Sequence, residues 1–310
     1  MSSSVIGLGC LLFFAVSQGA RDAFFGNIFQ SISFLLVACL AFGASTLVFT
    51  GAAACREGSN LRTLLAATRD FVALNATNAA GWLSFFFGLR FLEPAVVATL
   101  YNGAGPLAVL GLQAIGWMRS SGRISAGERT CYAGIAIALA TLVGVVLTNR
   151  SGIPLTQVAL QSGALAASIF GGVMITMSHG YARRFNDKGV GSDAVLGTRF
   201  LLTLAAAAML ELLIGSPLMR PSIETLPYLT LMAFALVVIP GFMLQLGIAR
   251  ASPLAVNIFR ALGPVFVFAV QQLDGRLRFS GATLGCVIVF CICAMTASLV
   301  RGWSEVKRPV

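Results

Sequence analysis

Long apolar runs recur along the whole chain, broken at short intervals by polar and basic clusters. A helix needs about 20 apolar residues to cross the hydrocarbon of a bilayer. Ten segments approach that length, near residues 4–21, 30–54, 71–89, 95–118, 131–148, 157–181, 194–215, 228–249, 254–272 and 281–300. The longest connections, 56–70, 119–130, 183–193 and 216–227, are too short to hold a soluble domain. The pattern predicts an all-α integral membrane protein with ten transmembrane helices.

Composition agrees. Of 310 residues, 57% are hydrophobic and 10% charged, and mean hydropathy is +0.89, values that make lipid the main solvent. A net charge of +10 would point to nucleic acid in a soluble chain. Here the cations sit mostly between apolar runs, so they are topology signals and no nucleic-acid partner is expected. With the N-terminus inside, thirteen Lys and Arg fall on inside connections and six on outside ones, which predicts that both termini are cytoplasmic. Arg199 and Arg260 lie within apolar runs.

Cofactor chemistry finds little to work with. The seven cysteines lie nearly all within spans, and none stands at metal-ligand spacing from another Cys or from His179, the single histidine. They read as small core residues. A Gly-Lys-Ser/Thr phosphate loop is missing. An enzyme acting on a lipid-linked substrate would need clustered Asp, Glu, His or Cys, whereas the acids here are scattered. No catalytic residue, metal or cofactor is expected, and a channel or structural membrane protein is the alternative to a transporter.

The chain repeats itself. The segment "RFLEPAVVATLYNGAGPLAVL" (90–110) has a later counterpart in "RASPLAVNIFRALGPVFVF" (250–268): a polar turn, a proline, an apolar helix, Gly-Pro, and more apolar helix. Pro94 pairs with Pro253 and Gly105-Pro106 with Gly263-Pro264, at offsets near half the chain length. Ten spans divided by that repeat leave five per half, an odd number, so the halves 1–150 and 151–310 enter the membrane in opposite senses. Inverted repeats of this kind place substrate sites at mid-depth between the halves.

These paired Pro and Gly-Pro helices resemble the EamA domain of the drug/metabolite transporter superfamily, repeated twice over nearly the whole chain. "GTRF" with Arg199, and Asp274 before the last span, are similar to that family as well. The resemblance implies a secondary transporter of a bacterial inner membrane, whose relatives export amino acids, drugs or amino-acid-derived metallophores. From it follows the expectation of a small amino-acid-like substrate moved by alternating access.

Helical spacing selects the polar faces. Asn102 and Thr99 share a face with Pro106, while Arg260 and Asn257 share the equivalent face with Pro264. Span three adds Asn75, Asn78 and Trp82 on one stripe, and span eight contributes Gln245. A central Arg costs about 2.5–3.5 kcal/mol on insertion scales, so Arg260 either faces a cavity, where its planar fork suits a substrate carboxylate, or snorkels to the interface. Trp82 and Tyr101 offer aromatic surface. The substrate-binding candidates are therefore Asn78, Trp82, Tyr101, Asn102, Gln245, Asn257 and Arg260, with interhelical hydrogen bonding as the other reading of the asparagines. Pro94, Pro106, Pro253 and Pro264 are gating candidates or fixed kinks. Arg21-Asp22 is expected at the outer end of span one, as an ion pair or a proton-linked carboxylate, and His179 and Glu211 near span ends. Small-residue runs at 43–54, 134–144 and 163–172 favour close helix contacts or a homodimer surface.

Overall fold

The computed structural model describes residues 3–117, 124–214, 218 and 221–306, except for the side chains of 3–4, 56–61, 192–193, 245, 248–249, 253 and 303–306. Among these residues the chain is all-helical: α1 (Ser3–Ile28), α2 (Phe34–Ala66), α3 (Thr68–Phe91), α4 (Pro94–Ala114), α5 (Ala126–Leu147), α6 (Val158–Asp187), α7 (Ser192–Thr198), α8 (Leu201–Ile214), α9 (Leu226–Arg250), α10 (Pro253–Gln271) and α11 (Gly281–Val306).

Nine spans of the described residues are long and apolar enough to cross a membrane. The tenth expected span, α3, falls short because Arg69, Asp70, Asn75, Asn78 and Arg90 lie within its 24 residues. It packs on α1, α2, α4, α6 and α8, so Asn75 and Asn78 meet protein rather than lipid. The seventh expected span is broken, since α7 ends at Thr198 and α8 begins at Leu201.

The punctuation follows local chemistry. Ser125 and Glu128 form a reciprocal capping box at the start of α5. Gly116 and Gly189, with φ of 73° and 79°, take the left-handed conformation after α4 and α6, which favours glycine. Pro94 and Pro253 are not interior kinks. Each heads its helix, where the missing N–H would have no partner anyway. The prolines that interrupt helices are Pro106 in α4, Pro264 in α10, and Pro240 in α9.

The helices pack reciprocally between halves. α1 lies against α9 and α10, while α6 lies against α3 and α4; α2 meets α7 and α8, α5 meets α11, and α4 meets α10. Small residues permit two of the closest approaches. A side chain at Gly197 would strike the Thr50 backbone of α2 at 2.6 Å, and one at Gly172 would collide with the Tyr101 carbonyl. Between them an aromatic cluster of Phe25, Phe29, Phe42, Trp82, Phe86 and Phe200 fills the centre, with Phe42 stacked on Phe200 at 4.7 Å.

Candidate functional site

Four cationic or aromatic side chains and one imidazole form an electrostatically linked group. Arg21 lies seven residues from the end of α1 at Ile28, Tyr101 seven from the start of α4, Arg199 seven from the start of α7, Arg260 seven from the start of α10, and His179 eight from the end of α6. At 1.5 Å per residue these depths are about 10–12 Å from a helix end. The Tyr101 hydroxyl is within electrostatic reach of Arg21, Arg199, Arg260 and Asp22, and His179 within reach of Arg199 and Arg260.

Arg21 and Asp22 are not at a helix end. Both are buried within α1, at 8% and 0% exposure, and pair with each other at 2.7 Å. α1 extends to Ile28 because "AFFGNI" continues the apolar face past the two charges. The Arg21 guanidinium also sits 5.5 Å from the Trp82 ring and 5.7 Å from Phe85, and Tyr101 packs on Phe85 at 4.7 Å. Trp82 and Tyr101 thus join the constellation, half-buried.

Arg199 occupies the break between α7 and α8, and α3 holds it there. The Asn78 carbonyl oxygen accepts from Arg199 Nε at 3.0 Å and Nη2 at 2.8 Å, while Asn78 Nδ2 donates to the Arg199 carbonyl at 3.0 Å and to the Thr203 hydroxyl at 3.3 Å. Ser178 of α6 accepts from Arg199 Nη2 at 3.4 Å. One turn away, Asn75 Oδ1 accepts from the Leu202 N–H at 3.2 Å. In hydrocarbon each backbone group freed by a broken helix needs a partner from protein, and two asparagines of α3 supply it. Asn78 is fully buried with both ends engaged, so it positions Arg199 and is closed to direct ligand contact.

Arg260 differs. It has no ion-pair partner among the described residues and is exposed, as are Asn257 and His179, while α1, α4, α9 and α11 pack against α10. His179, expected near a span end, belongs to the same group. Asn102 is half-buried, and its Nδ2 is enclosed without a partner. The side chain of Gln245 lies outside the described residues.

Interior prolines set bends beside these groups. A proline removes the hydrogen bond to the carbonyl four residues earlier, which is Asn102 for Pro106 and Arg260 for Pro264. Sequence reading placed Asn102 and Arg260 on the faces of these prolines and did not foresee the burial of Arg21, the neighbours of His179 or the α7–α8 break. The signal for the break was present in Asn75 and Asn78, whose spacing placed two amides on one stripe.

A second buried cluster ties the helix turns together. Glu93, between α3 and α4, accepts from the Gly152 N–H at 2.8 Å, the Thr283 hydroxyl at 3.0 Å and Gln271 Nε2 at 2.5 Å, while Gln271 Oε1 accepts from the Ala95 N–H at 2.9 Å. Burial raises the Glu93 carboxyl pKa, and these three hydrogen bonds oppose the rise. The segment 149–156 between the halves is thereby fastened to both. The seven cysteines are free, and no group of metal-ligating side chains forms among the described residues.

No family model matches the sequence, and no curated protein matches it. A solved crystal structure of a protein matches the fold with a TM-score of 0.65 over 99% of this chain and 99% of that one, at 19% identity. At that identity the likeness concerns the fold alone. The chain is an all-helical, multi-pass membrane protein.

Proposed function

We propose that the chain is a secondary transporter that moves a small carboxylate-bearing metabolite by alternating access. The observation that carries this reading is Arg260: a permanent cation within an apolar helix, exposed, without an acidic partner among the described residues, and within electrostatic range of Tyr101 and His179. A charge in such a place is costly unless it faces water, a counter-charge or a ligand. Arg offers a planar fork that fits a carboxylate with two parallel hydrogen bonds. Trp82 and Tyr101, which both pack against Phe85, supply aromatic surface for the remainder of the substrate.

The reciprocal packing of α1 on α9 and α10, and of α6 on α3 and α4, supports a two-fold relation between inverted halves 1–150 and 151–310. So do the matched Pro-headed, Pro-interrupted helices α4 and α10. On this reading the bends at Pro106 and Pro264 allow the inner and outer ends of α4 and α10 to part in turn. Membership of the EamA-type drug/metabolite transporters, a bacterial inner-membrane location with both termini cytoplasmic, and export of the substrate belong to the same proposal.

Counterflow in liposomes tests it. Purified protein in vesicles preloaded with an unlabelled carboxylate is expected to accumulate the labelled compound transiently and to saturate with concentration. Flux that rises linearly without saturation would favour a channel.

A further inference from the structure

Among the described residues, α4 and α10 are joined by hydrogen bonds at one end only. Glu93, the N-cap of α4, does not cap its own helix, and Gln271 in the last turn of α10 does so from across the bundle. Gln271 Oε1 accepts from the Ala95 N–H at 2.9 Å, and its Nε2 donates to Glu93 at 2.5 Å. Burial follows the tie. α4 is buried from Pro94 to Leu100 and half-buried or exposed from Gly105 to Ala114, while α10 is buried at Val267, Phe268 and Gln271 and exposed at Asn257 near its start.

The internal repeat supplies a counterpart for each member of this tie. Gln113 stands seven residues after Pro106, as Gln271 stands seven after Pro264, and Ser252 precedes Pro253 as Glu93 precedes Pro94. The N–H equivalent to that of Ala95 belongs to Leu254. In this structure the counterpart tie is not made. Ser252 is exposed and caps its own helix, accepting from the Ala255 N–H at 3.2 Å, and Gln113 is half-buried and makes no hydrogen bond to α10 among the described residues.

Resting on the transporter reading above, we infer that Gln271 and Gln113 are alternating latches: Gln271 closes the Glu93 end in the state seen here, and Gln113 closes the Ser252 end in the other by accepting from the Leu254 N–H. Each glutamine lies about 10 Å along its helix from the interior proline, so the arm that a latch holds is the one beyond a bend. An amide suits the task. Its hydrogen bonds exchange for water at an opened end at small net cost, whereas removing the amide orphans buried groups in the closed state.

The test reads the opening of the Glu93 end without any substrate. Thr99 is fully buried, one turn inside Ala95, so in the Thr99→Cys protein the thiol meets a membrane-impermeant methanethiosulfonate in liposomes only when that end parts. Peptide mass spectrometry reads residue 99 alone, and the seven native cysteines stay in place. Orphaning one buried group shifts such an equilibrium by roughly 5- to 150-fold. Added to Thr99→Cys, Gln271→Leu is expected to speed modification about fivefold or more, because it weakens the closed state. Gln113→Leu is expected to slow it by a similar factor, because it weakens the opposite state. Should Gln271→Leu fail to fold, Gln271→Asn, whose shorter amide cannot span Glu93 and Ala95 at once, takes its place. General loosening of the fold would speed both. Modification sped by both variants, or unchanged in either, overturns the latch inference and leaves the transporter reading to counterflow; opposite shifts in a protein that shows no counterflow would keep the latches and overturn the transporter reading.

Discussion

α4 and α10 share one plan. Each is headed by a proline, each carries an interior proline twelve or eleven residues on (Pro106, Pro264), and the two helices meet in the bundle. They differ in what the plan holds. At the residue whose carbonyl the interior proline frees, α4 carries Asn102, half-buried with an unpartnered Nδ2, and α10 carries Arg260, exposed. At the N-cap, α4 has Glu93, whose carboxylate reaches away to the segment between the halves, whereas Ser252 of α10 caps its own helix by accepting from the Ala255 N–H at 3.2 Å. The backbone design is common and the chemistry is divided: the α4 side anchors, and the α10 side presents charge.

The largest effect expected from breaking this division comes from Asn78→Ala. It would strip Arg199 of its principal acceptor and leave the Arg199 carbonyl without its donor, a loss of about 2–6 kcal/mol at roughly 1–3 kcal/mol for each orphaned group. Thermal unfolding in detergent should show it as a large fall in the transition temperature. An unchanged transition would remove the account of the α7–α8 break as a site stitched by α3.

Next come the interior prolines. Pro264→Ala restores an N–H donor to the Arg260 carbonyl and straightens α10, and Pro106→Ala does the same for Asn102 and α4. Both are expected to slow exchange, by roughly tenfold for Pro264→Ala and less for Pro106→Ala, since helix-interior proline alters local energetics by about 3 kcal/mol and only the former moves Arg260. Equal slowing by the two variants would erase the distinction between the helices.

A smaller effect is expected at Glu93. Its folded-state pKa is raised by burial, so the folded state binds this proton more tightly than the unfolded state does. Its contribution to stability is then fully present below the unfolded value of about 4.3 and declines as pH rises through the folded value. The wild type minus Glu93→Gln difference in unfolding temperature should therefore decline with rising pH from about 4 upward. A difference that grows with pH would reverse the assignment.

The smallest effect is expected at Asn102→Ala. Because its Nδ2 has no partner in this structure, stability should change by less than about 1 kcal/mol. A larger loss would mean that Asn102 has a partner the packing does not reveal.

Much of this was legible in the sequence, and the reason is periodicity. Runs of apolar residues at membrane length fixed nearly every helix, and the Pro and Gly-Pro spacing picked out α4, α10 and the face bearing Arg260. α3 was legible as a helix because its 24 residues keep an apolar face, although its asparagines lower its apolarity. What escaped was whatever depends on partners distant in the chain. Arg21 and Asp22 looked terminal because adjacent charges usually end a span; the Trp82 and Phe85 rings of α3 receive Arg21. His179 looked interfacial because its neighbours in sequence are polar, and its neighbours in space, Arg199 and Arg260, lie 20 or more residues away. The break at Arg199 carries no proline. It is set by α3, whose amides take over hydrogen bonds that a continuous helix would make within itself.

The central claim is that Arg260 binds the substrate's acidic group, and giving α10 the residue that α4 carries tests it most directly. Counterflow of a labelled carboxylate by wild type, Arg260→Lys and Arg260→Asn, each matched for folded protein, is predicted to fall in that order. Arg260→Asn should lose roughly 100-fold in kcat/KM, about 2.7 kcal/mol, in line with one charged hydrogen-bonded contact. Arg260→Asn exchanging at the wild-type rate and half-saturation would contradict the claim and return Arg260 to the role of an interfacial cation.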